Sequence, residues 1–159
     1  MSDDTLTILL DGPFILRARP DPLPGDLRMA WGLALVLLIL ESSRGKRASL
    51  QKIHFLAHSA RTTNSRLTAT AVFEGKLRSS ELVIRVEPWV NRALAFAKGL
   101  GFLTLVNGKS AQLTDEGLNT AKKLLDASVL AEEKDFLTQN RSDATEGKIE
   151  KIMKMESLI

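Results

Sequence analysis

Hydrophobic positions are densest between Met29 and Leu40, a run of twelve residues bounded by Arg28 and Glu41. The run is apolar almost all the way round a helical wheel, as a buried central helix would be, and it predicts a helix from about Asp26 to Leu40. It is too short to cross a bilayer, which takes about 20 residues. A second helix is expected over Ala48–Ala60, where Leu50, Ile53, Leu56, Ala57 and Ala60 form one stripe and the other face is polar apart from Phe55. Arg61 to Phe73 continues as another helix. Leu82 to Val86 has the β-branched, apolar content of a short strand, stopped by Glu87-Pro88. Pro88 then suits the first turn of a helix to Leu100 that buries Trp89, Val90, Ala93, Leu94, Phe96 and Ala97.

Beyond that helix the pattern changes from helical to alternating. Gly99 and Gly101 end the helix, Phe102–Val106 and Ser110–Leu113 read as paired strands, and Asn107-Gly108 is a favoured two-residue hairpin turn. Thr114-Asp115 caps a helix with Leu118, Ala121, Leu124 and Leu125 on one face. Helices over Val129–Thr138 and Ser142–Leu158 follow. At the other end, Thr5 to Arg19 suits a strand pair or extended arm, and Pro20, Pro22, Pro24 and Gly25 form a connector that cannot be helical. The expected class is therefore mostly α with a small β component. Helix, Gly, strand, Asn-Gly turn, strand, helix is the order of a winged helix-turn-helix. Three regions follow: an arm and connector over 1–25, a winged-helix-like domain over 26–127, and C-terminal helices over 128–159 that pack on it or on a partner.

Composition narrows the chemistry. With 159 residues, 44% of them hydrophobic and 26% charged, the chain has the make-up of a soluble globular domain. The absence of cysteine removes disulfides, thiol nucleophiles and cysteine-based metal sites. Met1-Ser2-Asp3-Asp4 is acidic where a secretory signal would be basic, which points to the cytoplasm and away from the membrane. Without tyrosine, and with only 5% aromatics, stacking on single-stranded nucleic acid is not expected.

Charge is informative by region. Between Arg44 and Arg78, eight basic residues face Glu74 alone, a local charge of +7. Within it, Arg44, Lys46, Arg47, Lys52, Arg61 and Arg66 are candidates for holding a phosphate backbone or an acidic partner surface. The Pro88–Leu100 helix occupies the recognition position, where Asn91, Arg92, Ala95 and Lys98 would be exposed, with Lys109 at the wing tip. Asn and Arg read base edges well, but two positive charges are few for a helix lying between phosphates. Winged helices also dock proteins, and fold alone does not choose between the roles. In the last helix, Ile149, Ile152 and Met153 share a face that either packs on the domain or enters a partner's groove.

The catalytic constellations fail one by one. Gly101 and Gly108-Lys109-Ser110 are separated by six residues where a phosphate-binding loop has four, and the lysine sits on a hairpin instead of opening a helix. His54 and His58 are four apart on one helix, but no glutamate follows the first and no third histidine exists to complete a metal site. Glu132-Glu133 and Asp115-Glu116 are sequence neighbours whose side chains diverge on a helix, as solvated surface carboxylates do. No serine lies in a nucleophile elbow. No catalytic, metal-binding or cofactor-binding residue is expected.

Several segments in order resemble the middle component of ABC-three-component (Lamassu-type) antiphage defence systems. They are Leu27-Arg28-Met29-Ala30; Arg47-Ala48-Ser49-Leu50 with Lys52-Ile53-His54-Phe55-Leu56 and Ser59-Ala60-Arg61; and Ile84-Arg85-Val86-Glu87-Pro88 with Asn91-Arg92-Ala93-Leu94. Gly99-Leu100-Gly101-Phe102, Leu113-Thr114-Asp115-Glu116-Gly117, Phe136-Leu137, Thr145-Glu146 and Lys148-Ile149-Glu150 continue the series. The likeness runs from about residue 26 to 152, and the order and spacing of the set carry it. The resemblance implies a non-enzymatic adaptor that links an SMC- or Rad50-like ABC ATPase to an effector subunit such as a nuclease, with double-stranded DNA a further ligand through the complex. It supplies no catalytic residue. The alternative is a winged-helix transcription regulator, dimeric so that its symmetry matches a palindromic site. In either case the purified chain is expected to lack hydrolase, nuclease and nucleotidase activity; metal-dependent turnover that disappears in His54→Ala and His58→Ala would contradict this.

Overall fold

The computed structural model describes residues 25–156; the arm and the prolines of the connector expected upstream, and the last three residues, lie outside the described residues. Gly25, expected in the non-helical connector, is instead the first residue of a helix. Helix α1 (Gly25–Ser42) leads through a 3-10 turn (Arg44–Lys46) into strand β1 (Arg47–Ser49) and helix α2 (Leu50–Ala60). Helix α3 (Thr63–Phe73), a second 3-10 turn (Ser79–Glu81) and helix α4 (Pro88–Gly99) follow. Strands β2 (Leu103–Val106) and β3 (Ser110–Leu113) then precede helices α5 (Asp115–Asp126), α6 (Ala131–Gln139) and α7 (Glu146–Glu156). The described residues thus form seven α-helices and one three-stranded antiparallel sheet, with β3 between β1 and β2.

Everything packs around α1. Leu35 to Leu40 are each no more than 1% exposed, so the helix is buried on all sides, as its continuous apolar run requires. Helices α2, α4, α5 and α6 and the sheet supply its walls. Approach is closest at Gly32, where a Cβ would come within 3.1 Å of the Trp89 ring of α4. Trp31 stacks obliquely on the same ring at 5.2 Å and donates its indole N–H to Glu133 of α6 at 3.3 Å. No helix among the described residues is long and apolar enough to cross a membrane.

The C-terminal helices join this core. Ile149 and Ile152 of α7 and Phe136 and Leu137 of α6 belong to the same apolar cluster as α1 and α2. Polar anchors reinforce the seam. Asn140, buried, donates to Thr70 Oγ1 at 3.0 Å and to the Phe136 carbonyl at 2.9 Å. Lys148 donates to the Phe73 carbonyl at 2.8 Å and lies over the Phe73 ring. Among the described residues, those before and after residue 127 therefore share one core.

Several expectations need correction. Leu82–Val86 is extended but joins no strand among the described residues; Leu82 is buried and Ile84 packs against the core, while Val83 and Val86 face solvent. The third strand is instead β1, whose residues Arg47, Ala48 and Ser49 pair with Gln112, Ala111 and Ser110. Ala48 thus belongs to the sheet, and α2 begins after Ser49, whose hydroxyl accepts from the Lys52 amide at 3.0 Å. The polar face of α2 is not a solvent face: Lys52, His54 and Ser59 are buried along with Phe55, and among its residues only Gln51 is exposed. The hairpin turn forms at Asn107-Gly108 with both residues at positive φ, as that dipeptide favours, but Val106 pairs with Ser110, so Lys109 is a third loop residue. Helix α7 starts at Glu146, later than expected, because Thr145 caps it through the Lys148 amide.

The start of α5 lies against the chain leaving α4. Thr114 accepts from the Gly117 amide at 3.1 Å and donates its hydroxyl to the Gly101 carbonyl at 2.6 Å, which draws the helix onto Phe102. A Cβ on Gly117 would sit 1.8 Å from the Phe102 carbonyl oxygen. Backbone cannot yield that distance locally, so Gly117→Ala is expected to destabilise the fold by about 3 kcal/mol in denaturant unfolding. A loss below about 0.5 kcal/mol would show that the packing of α5 differs from this description.

Candidate functional site

The six basic candidates of the 44–66 stretch do not form one surface. Neighbours in sequence diverge because they belong to a turn, a strand and two helices. Lys46 is paired with Glu41 at 3.0 Å, and Arg61 with Glu87 at 2.9 Å. Arg66 is buried: it donates to the Ala60 carbonyl at 2.8 Å and pairs with Glu132 of α6. Its role is to tie α3 to α6 and to the end of α2, so it is not available to a phosphate backbone. Of the pair Glu132-Glu133, expected as solvated surface, Glu132 is exposed while pairing with Arg66, and the half-buried Glu133 accepts from Trp31.

Arg44, Arg47 and Lys52 do converge. They line a cleft of about 550 Å³ with Ser42, Arg141, Ala144, Thr145, Glu146 and Gly147. One wall is the turn and strand that follow α1; the other is the start of α7. Arg47 uses its Nε–H on Ser110 Oγ at 2.9 Å, across the β1–β3 pair. Glu146 accepts from the Ser49 amide at 2.9 Å and the Ser49 hydroxyl at 2.6 Å, which closes the base of the cleft. Arg141 was missed by sequence reasoning. It stands alone in its segment, and only the docking of α7 against α2 brings it to the others.

Lys52 is the unusual member. It is 7% exposed, against the expectation of a surface lysine, and its ammonium makes no hydrogen bond or ion pair among the described residues. Burial pushes its pKa below the ordinary lysine value, while the charge of Glu146 opposes the shift.

The face of α4 is the second feature. Asn91 and Arg92 are exposed residues, as expected, together with Ala95 and Lys98; Lys109 is exposed at the hairpin. Asn91 Oδ1, however, lies 3.0 Å from His54 Nε2, so its amide is partly committed inside the fold. His58 Nδ1 pairs with Glu87 at 3.2 Å; the two histidines of α2 therefore turn to different partners. Among the described residues no group of three or more metal-ligating side chains gathers. Phe96, expected in the core, is 51% exposed, and Leu100 one turn later is 46% exposed. Residues four apart share a helix face, so Phe96 and Leu100 form an apolar pair next to Arg92, with Lys98 on the far edge of the exposed face. Leu105 on the adjoining strand β2 is also exposed.

The face Ile149–Ile152–Met153 is used internally. Ile149 and Ile152 are buried in the core and Met153 packs against it, so these side chains are not offered to a partner's groove. Compared with protein families, with curated proteins and with solved structures, the chain matches none.

Folding disfavours the charged form of Lys52, so the unfolded chain holds that proton more tightly. Stability should therefore be lowest below the folded pKa and rise as pH climbs through it towards 10.5. Lys52→Met, which keeps the length without the charge, is expected to stabilise the chain by about 1 kcal/mol at pH 7. The advantage should shrink above pH 10.5, where the wild-type lysine is neutral in both states. Chemical denaturation across pH checks this; a variant less stable at neutral pH would mean that the ammonium is satisfied where it lies.

Proposed function

We propose that this chain is a non-catalytic adaptor of winged-helix architecture in a bacterial antiphage defence complex, joining an SMC- or Rad50-like ABC ATPase to an effector such as a nuclease. The order of elements supports the architecture. Helix α1, strand β1 and helix α2 precede a helix, α4, that leads directly into the β2–β3 hairpin, and β3 pairs back onto β1. Helix α3 and the Ser79–Glu81 turn are then an insertion before the recognition position. The family reading rests on the ordered sequence segments between residues 26 and 152, and it supplies the two partners.

One observation carries the adaptor role over DNA reading: α4 exposes Phe96 and Leu100 where a base-reading helix would present polar side chains. Large apolar side chains on a helix face stabilise complexes by leaving water, and aromatic ones serve as anchors. The helix itself carries only Arg92 and Lys98. Arg28 and Arg61 line the cleft beside Arg92, and Arg61 is paired with Glu87, a modest charge for a helix that must lie between two phosphate strands. As a transcription regulator the chain would need a dimer interface, and this apolar pair would be its natural place.

Co-expression with neighbouring reading frames that encode a Walker-motif, coiled-coil ATPase and an effector tests the proposal. Size-exclusion chromatography should recover all three together. Phe96→Glu with Leu100→Glu should weaken the association by about tenfold or more while leaving thermal stability nearly unchanged, since both side chains are half in water. An ATPase and effector that assemble without this chain would contradict the adaptor role.

A further inference from the structure

We propose that the cleft between the Arg44–Ser49 segment and the start of α7 is a binding site for the phosphate group of a small ligand, held by Arg44, Arg47, Lys52 and Arg141. The site is independent of the docking face on α4.

Four cations meet there although they come from segments far apart in the chain. Arg44 and Arg141 have no side-chain partner among the described residues, and Arg47 spends only its Nε–H, which leaves the outer guanidinium nitrogens. Lys52 also lines the cleft; only 7% of the residue is exposed, far below an ordinary lysine, and its ammonium has no hydrogen-bond partner among the described residues. Burial that disfavours the charged form is offset when an anion seats against it. The one carboxylate in the cleft, Glu146, is committed to the amide and hydroxyl of Ser49. Four positive charges thus face one partly neutralised negative charge.

The wall opposite adds donors. Thr145 caps α7 by accepting from the Lys148 amide, while the Glu146 and Gly147 amides have no carbonyl partner within the helix. An anion beside them meets the positive end of an eleven-residue helix dipole. Nothing lies within 4 Å of where a Gly147 side chain would begin, so a ligand can approach that backbone closely.

Shape selects the ligand class. A cleft of about 550 Å³ has the size of small-molecule sites, which run to roughly 300–1,000 Å³. A phosphate group fills a fraction of it and leaves room for the body of a phosphorylated metabolite or nucleotide. A DNA duplex is a convex rod whose phosphates meet exposed side chains such as Arg44 and Arg141 more readily than Lys52, which is 7% exposed. The balance of charge, exposure and volume favours a small phosphorylated ligand.

Isothermal titration of the full chain tests the proposal, with inorganic phosphate and ATP as separate probes at constant ionic strength set by chloride, and a blunt duplex oligonucleotide as a third. Saturable one-to-one binding of phosphate or ATP is expected, tighter for ATP if the remaining volume takes the nucleoside. Lys52→Met and Arg141→Ala should each weaken it about tenfold or more, the loss of one charge-assisted contact. Arg141 is exposed, so its variant tests the site without altering a buried position. The proposal is overturned if neither small anion saturates, if both variants bind as the wild type does, or if only the duplex binds and loses affinity in these variants.

Discussion

Six consecutive side chains of α1, Leu35 to Leu40, are withdrawn almost completely from water, and a helix apolar on every side cannot sit at a surface. It must be walled in. Each buried large aliphatic side chain contributes roughly 1.5–3 kcal/mol relative to exposure, so enclosing α1 outweighs any local preference elsewhere. The enclosure recruits α2, α4, α5, α6 and the sheet, and it explains why the C-terminal helices close onto the body of the chain. Ile149 and Ile152 complete the same core, and Asn140, Lys148 and Trp31 fix the orientation with directional bonds.

Two functional surfaces follow from this wrapping. Helix α4 covers α1 with Val90, Ala93, Leu94 and Ala97, which leaves Phe96 and Leu100 on the outside. The closure of α7 over α2 brings Arg141 into one cleft with Arg44, Arg47 and Lys52. The first surface is apolar and suited to another protein. The second is concave and cationic, and it is built from parts that only the folded chain brings together. Basic residues outside the cleft serve the fold instead: Arg66 bonds α3 to α6, and Lys46 and Arg61 neutralise Glu41 and Glu87.

What the sequence revealed depended on how local the signal was. The all-round apolar run of α1, the Asn107-Gly108 turn and the Thr114 cap are written within a few residues, and each is found where expected. Strand β1 was invisible because three residues with one buried side chain carry no alternation; the strand exists only because β3 offers an edge. Leu82–Val86 had the composition of a strand but joins no sheet among the described residues. Phe96 looked like a core residue on hydrophobicity alone, yet α1 already has its wall from the opposite face of α4. The charged run misled in another way. Nearness in sequence suggested a common surface, whereas the fold dispersed Lys46, Arg61 and Arg66 and added Arg141 from a distant segment.

Hydrogen–deuterium exchange of the chain, alone and in the presence of the co-expressed ATPase, tests the central claim that the outer face of α4 is a protein-docking surface. Amides from Asn91 to Val106 should become protected by the ATPase, while those of α1, already at the level of global unfolding, stay unchanged. Protection of Asn91 to Val106 by duplex DNA, with none from the ATPase, would contradict the claim and make α4 a nucleic-acid reader.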